Sequence, residues 1–99
     1  MLPSLIELTG VGPKIHGLRW ESDRLLRIGR NGNLDIVLRD PSVEPLHAEL
    51  RFHGMRWIVR DVAKSPLFPT RVNGAPIDVA ELKCGDVLKV GELNWQSRT

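Results

Sequence analysis

Three histidines, a single cysteine and a scatter of carboxylates are the residues here whose types could support catalysis or metal binding. His16, His47 and His53 do not fall at zinc-ligand spacing, and Cys84 alone cannot complete such a site. All three histidines therefore read as structural, His53 at a turn and His16 in a Gly-flanked loop. Cys84, beside Gly85, reads as a small half-buried loop residue. Gly29-Arg30-Asn31-Gly32 is glycine-rich, but neither a Lys-Ser/Thr ending nor a helix follows it, as a phosphate loop would require. Gly10-Val11-Gly12 runs into proline and lacks a third glycine. Asp35, Asp40, Glu44 and Asp61 carry carboxylates without any spacing that would pair two for acid–base work. No catalytic residue, metal site, cofactor or small-molecule substrate is assigned, and the chain reads as a binder and not an enzyme.

The elements that must position these residues are strands. Apolar residues recur with period two and are interrupted by Gly, Pro or Asn every few residues, the pattern of a β-sandwich or barrel. Ser4 to Val11, Gly17 to Glu21, Arg24 to Ile28 and Asp35 to Leu38 read as successive strands. The clearest unit runs from His47 to Arg60, where Ala48, Leu50 and Phe52 alternate with Glu49, Arg51 and His53. Beyond His53-Gly54, Met55, Trp57 and Val59 alternate with Arg56, Ile58 and Arg60. Each arm offers one apolar and one largely charged face, as an antiparallel hairpin lying over a core does. Ile58 interrupts the charged face. Asp61 to Thr70, with Pro66 and Pro69, reads as a loop. Val72-Asn73-Gly74-Ala75 holds an Asn-Gly pair, which suits a type I′ turn because both central residues need positive φ. Asp78 to Lys83 is expected to form one helical turn or to stay irregular. Val87 to Val90 and Leu93 to Trp95 close the chain as a hairpin around Gly91-Glu92.

Composition bounds the reading. Ninety-nine residues can bury somewhat more than ~60% of the unfolded surface, enough for one core spanning residues 1–99. A module of a longer protein is an expectation that composition leaves open. Lys plus Arg exceeds Asp plus Glu by 14 to 12, and the bases are interleaved with acids, so a nucleic-acid surface is disfavoured and a nucleic-acid-binding β-domain stands as a second alternative only. One cysteine allows no intrachain disulfide. No apolar run approaches a membrane span and no secretory leader pattern opens the chain. A cytoplasmic protein, away from membranes, is the expectation.

From Arg27 to Val90 the sequence resembles the forkhead-associated (FHA) family. The resemblance rests on Ile28-Gly29-Arg30, Asp35-Ile36-Val37-Leu38-Arg39-Asp40, and Val43 with His47-Ala48. It continues through Trp57-Ile58-Val59-Arg60-Asp61-Val62, Thr70-Arg71-Val72-Asn73-Gly74, and Leu82-Lys83-Cys84-Gly85-Asp86-Val87 ending at Gly91. About two-thirds of the chain is covered in order. The resemblance implies an all-β antiparallel sandwich of the SMAD/FHA-like type, used in signalling to bind a protein or peptide partner. It also implies a phosphothreonine site on loops 29–33, 41–46 and 63–70. By family match, Arg30, Ser65, Thr70 and Arg71 fall at peptide-binding positions, while Gly29, His47, Asn73 and Gly74 belong to the structural motif. Turn formation alone also accounts for Asn73 and Gly74.

Two departures bear on the ligand. The family's phosphate-binding serine falls at Glu44 and its neighbouring arginine at Pro45, so a donor becomes an anion and an N–H is lost. The Ser-x-Asn-Gly that grips the peptide backbone is replaced by Lys64-Ser65-Pro66-Leu67-Phe68-Pro69, two residues longer. The expectation is a degenerate pocket and a partner bound independently of phosphorylation, with Arg30 paired to Glu44. Leu67 and Phe68 then either form an exposed patch or fold into the core. The alternative keeps phosphothreonine recognition through Arg30 joined by Arg39, Lys64 or Arg71.

Overall fold

The computed structural model describes residues 5–99, so Ser4, expected to open the first strand, lies outside the described residues. Eleven strands follow in order: β1 Ile6–Val11, β2 Arg19–Ser22, β3 Leu26–Gly29, β4 Ile36–Val37, β5 Ala48–His53, β6 Arg56–Asp61, β7 Arg71–Val72, β8 Ala75–Pro76, β9 Val79–Glu81, β10 Val87–Val90 and β11 Leu93–Arg98. They form a six-stranded sheet ordered β2-β1-β11-β10-β7-β8 and a five-stranded sheet ordered β4-β3-β5-β6-β9. All pairings are antiparallel except β3 with β4. Among the described residues no helix is long and apolar enough to cross a membrane.

Alternation decides which side chains meet between the sheets. Ile6 and Leu8 of β1, Leu88 and Val90 of β10, and Leu93 and Trp95 of β11 are buried from one side. Leu26 and Ile28 of β3, Ala48 and Leu50 of β5, and Trp57 and Val59 of β6 are buried from the other. Trp95 takes the edge of Trp20 with ring centroids 5.1 Å apart, a T-shaped contact favoured by the ring quadrupoles. Leu50 is fully buried, so Leu50→Ala would open a cavity costing roughly 2–5 kcal/mol.

The expected β5–β6 hairpin forms, with Ala48 opposite Asp61 and Phe52 opposite Trp57, but His53 belongs to β5, and Met55, read as an apolar-face strand residue, lies in the turn and is 84% exposed. Its turn places Gly54 at φ 59° and Met55 at φ 66°, both left-handed as a type I′ turn requires. Two further expectations are corrected. Val79–Glu81, read as a helical turn or irregular chain, is strand β9, held by long-range pairing to β6. Cys84, read as half-buried, is exposed. The three-residue β9 is too short to show a period, so only its partner strand reveals it.

Candidate functional site

The loops leaving β3, β4 and β6 are stitched together at one end of the sandwich, and the stitching starts from the backbone. The Arg30 N–H donates to the Glu44 carbonyl at 2.9 Å and the Asn31 N–H to the Pro45 carbonyl at 3.1 Å. This close approach needs Gly29: a Cβ there would collide with the Pro45 carbonyl and with Leu34. Substituting Gly29 would push the two loops apart.

His47 is the second fastening. It is fully buried at the base of the β4–β5 loop. Its Nδ1 accepts the Glu44 N–H at 3.1 Å, which requires the proton to sit on Nε2, and Nε2–H donates to the Phe68 carbonyl at 2.9 Å. The His47 carbonyl also accepts the N–H groups of Val62 and Ala63, at 2.9 and 3.1 Å. One residue thus clamps the β4–β5 loop to the β6–β7 loop. Burial pushes the imidazole pKa below its ordinary value of 6.5, against the Phe68 carbonyl and the Asp61 and Glu44 charges. The neutral form that the clamp needs is the form burial favours.

A third fastening reaches across to the other sheet. Asp40 accepts both the hydroxyl of Ser42 at 2.6 Å and its N–H at 3.0 Å, and the Ser42 Oγ accepts the Glu92 N–H at 2.8 Å. The Ser42 hydroxyl, assisted by its N–H and by Lys14, holds the Asp40 carboxyl below its usual pKa of 3.8. Sequence reasoning missed this strut. An Asp two residues before a Ser is a local turn signal that could have found Asp40–Ser42, but nothing local points to Glu92.

The residues singled out by sequence now have places. Arg30 is exposed, and its Nε donates to the Val43 carbonyl at 2.9 Å. Its terminal nitrogens make no ion pair with any described residue, so the expected Arg30–Glu44 pair is not formed. Glu44 and Pro45 are both exposed at the crest of their loop. Ser65 is buried and its Oγ accepts the Phe68 N–H at 3.1 Å. Thr70 is fully buried and donates to Asp61 at 2.7 Å. Arg71 is turned onto the Gly74 carbonyl at 3.0 Å. Lys64 is tied to Asp78 at 3.0 Å. Asn73, at φ 51°, fills the β7–β8 turn with Gly74 and bonds through its amide to Asp86 and the Val87 N–H. Arg39 is exposed and free of ion pairs among the described residues, with its guanidinium beside Gly32.

Two chemical features result at this end. One is a base, Arg30, next to an acid, Glu44, each open to solvent. The other is an apolar crest in which Pro66 is exposed, Leu67 is 81% exposed and Phe68 is half-buried. Leu67 takes the exposed arrangement, and Phe68, half-buried, is not part of the hydrophobic core cluster. Among the described residues no group of three or more His, Cys, Asp or Glu could hold a metal ion.

Comparison with known proteins fits this geometry. Residues 18–98 match the family described as the cytoplasmic domain of the inner membrane component of the type III secretion system. The glycogen accumulation regulator GarA of Mycolicibacterium smegmatis is 41% identical over 65 residues, 66% of this chain and 40% of that protein. The chain thus spans about 40% of the length of that relative. An FHA domain solved in a study of phosphothreonine-dependent FHA domain interactions superposes with a TM-score of 0.84 at 25% identity, covering 96% of both chains. The FhaA FHA domain, solved in complex with the intracellular domain of Rv3910, superposes with a TM-score of 0.81 at 26% identity, covering 94% of this chain and 99% of that one.

Proposed function

Because this chain belongs to the forkhead-associated (FHA) domains, in the family matched over residues 18–98, we propose that it is a non-catalytic protein-interaction module that holds its partner independently of phosphorylation. One observation carries the reading: Glu44 and Pro45 form the exposed crest of the β4–β5 loop, where the family's phosphate donors fall. Pro45 has no N–H, and the Glu44 N–H is already given to His47. The nearby hydroxyls of Ser42, Ser65 and Thr70 are all buried and engaged inside the domain.

A hydrogen bond to a charged group contributes about 1.5–3 kcal/mol. Losing two such donors lowers affinity for a phosphorylated ligand by roughly 10²- to 10⁴-fold, and Glu44 adds repulsion toward a dianion. What the loop end offers instead is the apolar crest of Pro66, Leu67 and Phe68 beside the opposed charges of Arg30 and Glu44. That combination favours an uncharged or mixed-charge peptide with an apolar anchor. The test is titration with a degenerate peptide pool bearing a central phosphothreonine and with the same pool bearing threonine. Equal binding is expected, and a strong preference for the phosphorylated pool would overturn the reading.

A second reading is favoured by Arg39. Lys64 and Arg71 are committed elsewhere, but Arg39 lies against the β3–β4 loop that bears Arg30. If phosphothreonine were still recognised, Arg30 and Arg39 would supply the guanidinium donors. Arg39→Glu would then abolish binding of the phosphorylated pool, whereas under the first reading it leaves both pools unchanged.

A further inference from the structure

The solvent face of the five-stranded sheet carries a pattern that the loop end leaves unused. Cross-strand register sets Arg27, Glu49, Arg60 and Val79 in one row and Arg51, Ile58 and Glu81 in the next. The open face of an antiparallel sheet is normally polar. Here Val79 is 60% exposed and Ile58 half-buried. With Glu49, Arg51 and Arg60 they line a shallow groove of about 210 Å³. Among the described residues Val79 stays largely open and Ile58 is only partly covered, and β9 ends its sheet with a partner on one side only.

The charges around the groove are lopsided. Arg60 holds Glu49 at 2.9 Å and Arg56 reaches Glu81 at 3.7 Å. Arg27 and Arg51 are in no ion pair among the described residues. Arg27, Arg51, Arg56 and Arg60 stand with Glu49 and Glu81 on this surface, and the Asp35 carboxylate accepts the Arg27 N–H at 2.8 Å beside them, so bases still outnumber acids. Arg51 stands directly opposite Ile58, so a free cation and an uncovered aliphatic group are immediate neighbours.

We propose that this groove docks an extended acidic segment of a partner protein, its carboxylates on Arg51 and its aliphatic side chains on Ile58 and Val79. An extended chain presents one face every second residue, about 6.5–7 Å apart. Acidic and aliphatic residues that are to share that face therefore stand two positions apart in the segment. Nucleic acid fits poorly: no aromatic side chain lines the groove to stack a base, and Glu49 and Glu81 interrupt the basic surface. A second copy of the chain fits poorly too, because a two-fold contact would set this basic face against itself.

The test uses amide chemical shifts of the 99-residue chain with three probes at pH 7. These are a capped dodecapeptide of Glu-Ser-Val-Ser repeats, which sets Glu and Val in turn on one face, its Lys-Ser-Val-Ser counterpart, and a single-stranded oligonucleotide of similar length. The expected result is saturable shifts centred on Arg51, Ile58 and Val79 with the acidic peptide alone. Arg51→Glu should weaken that peptide at least tenfold and make the basic peptide the better ligand. Val79→Ser should weaken the acidic peptide several-fold with an unchanged Tm. The proposal is overturned by shifts that centre on the loop end or scatter over the surface, or by no saturable binding. It is equally overturned by an oligonucleotide that binds this face as well or better, or by self-association that moves the same amides without peptide.

Discussion

The Arg30 N–H and the Glu44 carbonyl are joined by a 2.9 Å hydrogen bond, yet the side chains of these two residues make no ion pair. Backbone pairing fixes the β3–β4 loop against the β4–β5 loop. The guanidinium is meanwhile drawn back onto the Val43 carbonyl and the carboxylate is left in water. An exposed pair would contribute little in any case, about 0–1 kcal/mol. The juxtaposition therefore matters for recognition and hardly at all for stability.

His47 should make stability depend on pH. Its pKa in the folded protein lies below the ordinary value of 6.5, so the unfolded chain binds the proton more readily. The clamp's contribution is complete above about pH 6.5 and declines as pH falls toward the folded-state pKa. Thermal melts between pH 7.5 and 5 should show a falling Tm. His47→Ala should flatten this dependence and cost roughly 2–4 kcal/mol at pH 7.5, since it leaves the Glu44 N–H and Phe68 carbonyl unpaired.

Gly29→Ala should destabilise by about 1–3 kcal/mol or more, because the new methyl meets the Pro45 backbone and not a yielding side chain. Denaturant unfolding would measure this. Amide shifts of Glu44 and Leu46, on either side of Pro45, should move in the variant while those of the β10–β11 turn stay in place.

Thr70→Val separates a scaffold role from a ligand-contacting one. The Thr70 hydroxyl is fully buried against Asp61, itself only 5% exposed. Removing it strands a carboxylate oxygen and should cost about 1–3 kcal/mol. Peptide titration below the melting range should give unchanged affinities. A loss of affinity without loss of stability would show instead that Thr70 touches the ligand.

How much of this was legible in the sequence follows from the range of each interaction. The β5–β6 hairpin was readable because period-two alternation marks its two arms and their faces, but not its turn: Met55 continues the alternation in sequence and yet takes a left-handed turn position. The β7–β8 turn was readable because Asn73-Gly74 can take the left-handed conformations the turn demands. Strand β9 was not, since its three residues are strand only by virtue of β6. At the loop end, Arg30, Glu44 and Pro45 were found through the motif around them. Their pairing was wrongly anticipated, because Val43, one residue from Glu44, offers its carbonyl to the same guanidinium. Ser65 turns inward through a local bond from the Phe68 N–H three residues on, a turn signal available to sequence reasoning, whereas the Thr70 bond to Asp61 spans nine residues and has no such local signal.

The most direct measurement is a calorimetric titration of the wild-type chain and of a Glu44→Ser/Pro45→Arg double variant with matched phosphothreonine and threonine peptides. The wild type should show no preference between the two forms. The double variant should gain roughly 10²-fold or more for the phosphorylated one as two donors return. A wild-type preference of that size, unchanged or weakened in the double variant, would contradict the account.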